Sequence, residues 1–181
     1  ELSSGVEMYM NGYSKVDMEG SSQIVLKSGS SLNMQGSYTS YNGNVYNRFP
    51  IININGGNVF RAEAGSNLTM NSYAQINNVS TGVFDTSQLG SVTLGDLNTN
   101  HTATNSFPTN VIVPNGSIIT HPANGSTKEN WLDLTFTNVS FPNNSVNIDL
   151  TGKGYAPTHG PGGSSTGGAS YAAAGANGSS V

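Results

Sequence analysis

Eight Asn-x-Ser/Thr triplets carry the most specific covalent chemistry in this sequence: Asn67, Asn78, Asn100, Asn115, Asn124, Asn138, Asn143 and Asn177. Each is an acceptor pattern for N-linked glycosylation, which would place bulky polar sugars on the surface of a secreted protein. The chain holds 24 Asn, 25 Ser and 16 Thr. Composition alone would therefore give about five such triplets, and eight is a mild excess. Asn115-Gly-Ser, Asn124-Gly-Ser and Asn143-Asn-Ser fall in turn-forming sequence, where the side chain meets solvent. The same asparagines also suit turns and strand ladders with no sugar attached.

Acid–base chemistry is poorly supported. A glycosidase needs two facing carboxylates at a fixed separation. A polysaccharide lyase on stacked coils needs clustered Asp for Ca²⁺ and a basic proton acceptor. The ten carboxylates are scattered. Asp17 with Glu19, or Asp85 with Asp96, could meet on neighbouring coils, but neither pair has an obvious Lys or Arg partner in sequence. His101, His121 and His159 share no metal-ligand spacing, and there is no Cys. Gly152-Lys153-Gly154 follows a strand pattern, yet no helix can follow it to complete a phosphate cradle. No catalytic, cofactor-binding or metal-binding residue is assigned, and the sequence reads as that of a non-enzyme. Trp131 with Tyr9, Tyr13, Tyr38, Tyr41, Tyr46 and Tyr155 could stack on sugars. Cover for a fold end or an intersubunit contact is the favoured role.

The scaffold must suit an unusual composition. The 181 residues include 23 Gly, and only 9% are charged, against ~25% in ordinary soluble domains. Net charge is −4 with six Lys and Arg, too few for the basic stripe that nucleic acid requires. No run of ~20 apolar residues could span a bilayer as a helix. The sequence starts at Glu1 without Met, which reads as a mature product or an excerpt of a longer protein.

Between Val6 and Leu94 the apolar residues form short alternating triplets, among them Val16-Asp17-Met18, Ile24-Val25-Leu26, Leu32-Asn33-Met34 and Leu68-Thr69-Met70. Gly- and Ser-rich turns separate them, and each triplet reads as a strand of three or four residues. Ile24 to Met34 and Phe60 to Met70 align at an offset of 36 residues, with Gly29 on Gly65 and Ser30 on Ser66. A repeated strand–turn unit with such short strands suggests a solenoid in which each coil buries its inner face on its neighbours. Residues 98–110 read as a polar loop, whereas Trp131–Phe136 and Val146–Leu150 alternate like strands. After Gly152 the chain is dominated by Gly, Ser and Ala. An ordered segment of that kind must pack on the domain or on a neighbouring subunit, because Gly gives up the most entropy on ordering. Residues 1–151 are thus expected to form the β-solenoid and 152–181 an extension.

The stretch Val146-Asn-Ile-Asp-Leu-Thr-Gly-Lys-Gly-Tyr155, continuing through Gly160-Pro161-Gly162-Gly163 to Gly167-Gly168-Ala169-Ser170-Tyr171, resembles a signature of large glycine-rich secreted or surface proteins of bacteria, algae and other protists. In these it follows β-helical coils. Ala172 to Ala174 depart from the pattern, where glycines would be usual. The resemblance covers about the last 35 residues and implies an extracellular structural or adhesive protein, with no implied activity.

The expectations are then an all-β fold, a right-handed parallel β-helix or related β-solenoid, with a β-sandwich completed by strand exchange as the alternative. The expected role is that of an extracellular, cell-surface structural glycoprotein. It would self-assemble as a subunit or repeat unit of a filament, sheath or adhesin stalk, with copies of itself or flanking domains as partners and no cofactor. The alternative roles are a polysaccharide-active enzyme or a glycan-binding adhesion module.

Overall fold

The computed structural model describes residues 1–41, 44–71, 73–142, 147–156 and 159 (for 37–48 and 147, the backbone alone). No helix forms among them. The first coil carries β1 (Glu7–Asn11), β2 (Lys15–Met18) and β3 (Gln23–Leu26). The second carries β4 (Ser31–Gln35), the pair β5 (Ser37–Tyr41) and β6 (Asn44–Arg48), then β7 (Ile51–Ile54) and β8 (Val59–Ala62). β9 (Asn67–Met70), β10 (Gln75–Asn78) and β11 (Val83–Asp85) make the third. β12 (Ser91–Thr93), β13 (Asp96–Thr99) and β14 (Thr104–Ser106) make the fourth. β15 (Asn110–Ile112) and β16 (Ile118–Thr120) belong to the fifth, and β17 (Asn138–Ser140) and β18 (Asn147–Ile148) to the last.

Three parallel sheets run along the stack, in the orders β1-β4-β9-β12-β15-β17, β2-β7-β10-β13-β16-β18 and β3-β8-β11-β14. This is a three-sided parallel β-helix. A strand-exchanged sandwich would need antiparallel sheets, and the only antiparallel pair described is β5 with β6. The period is visible in the register. Glu7 pairs with Ser31 and Ile51 with Gln75, each 24 residues on. Ser31 pairs with Asn67, 36 residues on, because the second coil contains the additional hairpin Ser37–Arg48. The 36-residue repeat seen in sequence is therefore one coil of 24 plus an inserted hairpin of 12.

Alternation decides which side chains face inward. Val16, Ile52, Ile76, Leu97, Ile119 and Ile148 stack in register along the second sheet. Met10, Met34 and Met70 stack in the first. Ile24, Phe60 and Phe84 stack in the third, with the Phe60 and Phe84 rings 5.3 Å apart. Phe60, Phe84, Ile54, Ile76 and Leu97 have no solvent exposure at all. Burying each such side chain is worth ~1.5–3 kcal/mol, which lets strands of three or four residues hold together.

The core turns polar at one corner. Asn78 and Thr99, successive in the second sheet after Ile54, are fully buried. Asn78 Nδ2 donates to the Thr104 carbonyl at 3.0 Å and to Asn105 Oδ1 at 2.9 Å, and Asn105 Nδ2 donates to Thr99 Oγ1 at 2.9 Å. The donors of this network thus gain partners in place of water, whereas Asn78 Oδ1 is buried with no hydrogen-bond partner among the described residues. This is why residues 98–110 look like a loop in sequence yet contain the end of β13, all of β14 and the start of β15. The opposite correction applies to Trp131–Phe136. Its alternation is real, since Leu132, Leu134 and Phe136 pack against the core, but no strand ladder forms there. The segment continues the third side beyond β14, where the Phe136 ring lies 4.7 Å from Phe107.

Candidate functional site

The sequons occupy very different settings. Asn67, Asn115 and Asn138 are exposed. Asn100 is half-buried, with Nδ2 donating to Asn130 Oδ1 at 3.0 Å. Asn124 is half-buried and fully engaged: its Oδ1 accepts the Glu129 and Asn130 amides, and its Nδ2 donates to the carbonyls of Asn130 and Lys153. Asn78 lies inside the core with 0% exposure, so a glycan on its Nδ2 has no room and the sequon reading does not carry over to this residue. Asn143 and Asn177 lie outside the described residues.

The suggested pair Asp85 and Asp96 is split between two sheets. Asp85 is in the third sheet and Asp96 in the second. Both Asp17 and Asp85 do have cationic partners: Lys15 Nζ is 3.0 Å from Asp17, and Arg61, one coil before Asp85 in register, is 3.6 Å from it. The signal missed was i,i+2 spacing for Lys15 and the coil period for Arg61. Asp17 also accepts Asn53 Nδ2 at 2.5 Å, and Asn53 accepts Asn77 Nδ2 at 2.6 Å, forming an amide ladder on the outside of the second sheet. The Asn53 bond, then Lys15, holds the Asp17 carboxyl below its ordinary value. Two carboxylates approach one cation at Lys27, with Glu63 at 2.8 Å and Glu1 at 3.8 Å. Its hydrogen bond to Glu63 raises the Lys27 pKa, opposite to what a catalytic base needs. Asp96 is pushed up to about 6 by burial, partly offset by the Ile118 N–H that its Oδ1 accepts at 2.9 Å. No group of three or more His, Asp or Glu among the described residues could hold a metal ion.

His101, His121, Trp131 and Tyr155 lie close together on the later coils. The His101 ring stacks on Trp131 with centroids 3.3 Å apart, and Lys128 Nζ stands 4.6 Å over the indole. His121 is 6% exposed, and its Nδ1 lies 2.7 Å from the Pro122 carbonyl. A carbonyl only accepts, so Nδ1 carries the hydrogen. The 121–131 loop is tied to the chain after β18 by Asn124 N–H to the Lys153 carbonyl and Ala156 N–H to the Gly125 carbonyl. Between the two segments lies a cleft of about 380 Å³. Its lining includes His121, Lys128, Trp131, Lys153 and Tyr155, brought together from two stretches that sequence gave no reason to pair. Tyr9 and Tyr13 are exposed at the other end of the stack, while the side chains of Tyr38, Tyr41 and Tyr46 lie outside what is described.

Both terminal coils leave inward-facing apolar groups uncovered among the described residues. At the first coil a cavity of about 200 Å³ is lined by Leu2, Met8, Met10, Val16, Ile24 and Leu32. At the last coil Val139 stacks on Val111 and Ile148 on Ile119, yet they are 38% and 65% exposed. No family model, curated protein or solved structure matches the chain. The arrangement itself must carry any functional reading. No helix among the described residues is long and apolar enough to cross a membrane.

Proposed function

We propose that the protein is an extracellular structural glycoprotein that works by assembly, as a subunit or repeat unit of a surface filament, sheath or adhesin stalk. The observation that carries this reading is the pair of ends left uncovered among the described residues. Val16 and Met8 at one end, and Ile148 and Val139 at the other, sit on core ladders that continue through the whole stack. The outer edges of β1 and β2, and of β17 and β18, have no strand beyond them in the described sheets. Open strand edges over an apolar core favour addition of another rung. A head-to-tail contact of this kind propagates rather than closes. The low charge of the chain offers little repulsion between copies. Extracellular placement rests on the resemblance of the Gly-Lys-Gly-Tyr segment.

Sedimentation velocity at rising concentration, with electron microscopy of the heaviest species, tests the proposal. Association into linear assemblies is expected, and Ile148→Lys, at an exposed position, is expected to shift the population to shorter species. A monomer at all concentrations, for both proteins, would remove the reading.

A further inference from the structure

We infer that copies of this chain join head to tail in a single register, the first coil of one copy adding the next rung to the last coil of another. This rests on the assembly reading above and fixes the polarity and register of the joint.

The first argument is the order of the sides. Leu2 bridges Leu26 in parallel, its amide donating to the Val25 carbonyl at 2.9 Å and its carbonyl accepting the Lys27 amide at 3.0 Å. The head therefore opens with a partial rung on the third side, followed by β1 on the first and β2 on the second. The described rungs of the last coil take the same order: residues 132–136 on the third side, β17 on the first and β18 on the second. A head placed on a tail continues third, first, second, with no side skipped or doubled. A head-to-head pair would reverse the sense in which the chain circles the axis. Its facing strands would run antiparallel and break the parallel ladders.

The second argument is continuity of packing. The inward columns that begin at Met8 and Val16 end at Val139 and Ile148. Seating Met8 on Val139 and Val16 on Ile148 repeats at the joint the coil-on-coil interface that already holds every rung of the molecule. The two surfaces also differ in shape. The head is hollow, with a cavity of about 200 Å³ lined by Leu2, Met8, Met10, Val16 and Ile24. The tail presents the exposed side chains of Val139, Phe141, Ile148 and Leu150. Projecting apolar groups can fill a hollow to interior density, whereas two facing hollows cannot fill each other.

The outer columns follow from the same register. On the first side Tyr9 comes to lie beside Ser140. On the second side Asp17 comes to lie beside Asp149. Lys15, 3.0 Å from Asp17, offsets that like-charge approach.

The chain has no Cys, so introduced thiols report the register alone. In-register neighbours on adjoining strands lie ~4.8 Å apart, inside the ~4.4–6.8 Å Cα range of a disulfide. Full-length Tyr9→Cys and Ser140→Cys proteins are oxidised separately and as a mixture, with sedimentation velocity of the unaltered chain alongside. The expected result is a disulfide-linked dimer of twice the chain mass in the mixture and its loss in either variant alone. A chain carrying both substitutions should give a covalent ladder of dimers, trimers and longer species, because a head-to-tail contact does not close. Self-linking of Tyr9→Cys would show heads meeting heads, self-linking of Ser140→Cys would show tails meeting tails, and either would overturn the inference. Equal linking of Ser140→Cys to Glu7→Cys, two residues out of register, would overturn it as well. Linear assemblies without the mixed cross-link would remove the register and leave assembly standing. A monomer with no cross-link would remove both.

Discussion

The amide of Gly29 donates to the carbonyl of Gly65 at 2.8 Å, although 36 residues separate them. The amide of Gly5 makes the same bond to Gly29 at 2.9 Å. The corner between the third and first sheets is therefore a column of identical turns. Ser30 and Ser66 repeat the pattern, each hydroxyl donating to the carbonyl three residues back at 2.7 Å. Both Gly29 and Gly65 have φ near +80°, which side chains rarely adopt, and a Cβ on Gly65 would meet Ser28 Oγ at 2.6 Å. Gly65→Ala is expected to destabilise the fold by about 1–2 kcal/mol, read from urea unfolding. An unchanged midpoint would mean that the column contributes nothing.

The hairpin is the next place to cut. It enters the second coil after Gly36, whose amide donates to Asn71 Oδ1 at 2.8 Å. Deleting residues 37–48 would restore a coil of 24 residues. The shortened protein is expected to keep its β-sheet circular dichroism and to melt within a few degrees of the parent, because surface insertions change loop entropy only weakly. Failure to fold would give the hairpin a structural role.

Asp96 gives the protein a pH signature. Its carboxyl ionises near 3.8 in the unfolded chain and near 6 in the folded one. The folded state thus binds more protons between these values, and stability falls as pH rises from about 4 to about 6. Because the side chain is only partly buried, the loss is about 1–2 kcal/mol rather than the full shift. Asp96→Asn keeps an acceptor for the Ile118 amide and should remove this slope, raising stability at neutral pH. Unfolding curves at pH 4 and pH 7 for both proteins check the sign.

Phe84 is fully buried between Phe60 at 5.3 Å and Phe107 at 6.2 Å. Phe84→Ala should cost ~3–5 kcal/mol by opening a cavity in the third side. Tyr9, 60% exposed, is the control, and Tyr9→Ala should stay within ~0.5 kcal/mol. Chemical denaturation of both separates core from surface.

Glycan mapping follows from burial. Made through a eukaryotic secretory route, the folded protein is expected to carry sugar at Asn67, Asn115 or Asn138 and none at Asn78, whose side chain is enclosed. Peptide mass spectrometry with and without glycosidase reads the occupancy. Sugar at Asn78 in folded material would contradict the packing of that corner.

Much of the fold was legible because apolar alternation and turn glycines act locally. Val16–Met18, Ile24–Leu26, Leu32–Met34 and Leu68–Met70 all lie in strands. β10 and β14 were hidden because Asn78 and Asn105 face each other inside, and a buried amide looks like a turn residue in sequence. The hairpin disguised the true period by adding its 12 residues to a coil of 24. The cleft was not legible, since Lys128 and Lys153 line it from two irregular segments joined by backbone bonds and by the Asn124 side chain.

The separation of coil from insertion makes this molecule a ruler with detachable fittings. Each further coil would lengthen it by about 4.8 Å, the spacing of neighbouring strands. A hairpin or loop added at a corner, as after Gly36, changes the outline without changing the length. Reach and surface decoration can therefore vary independently in a chain built this way.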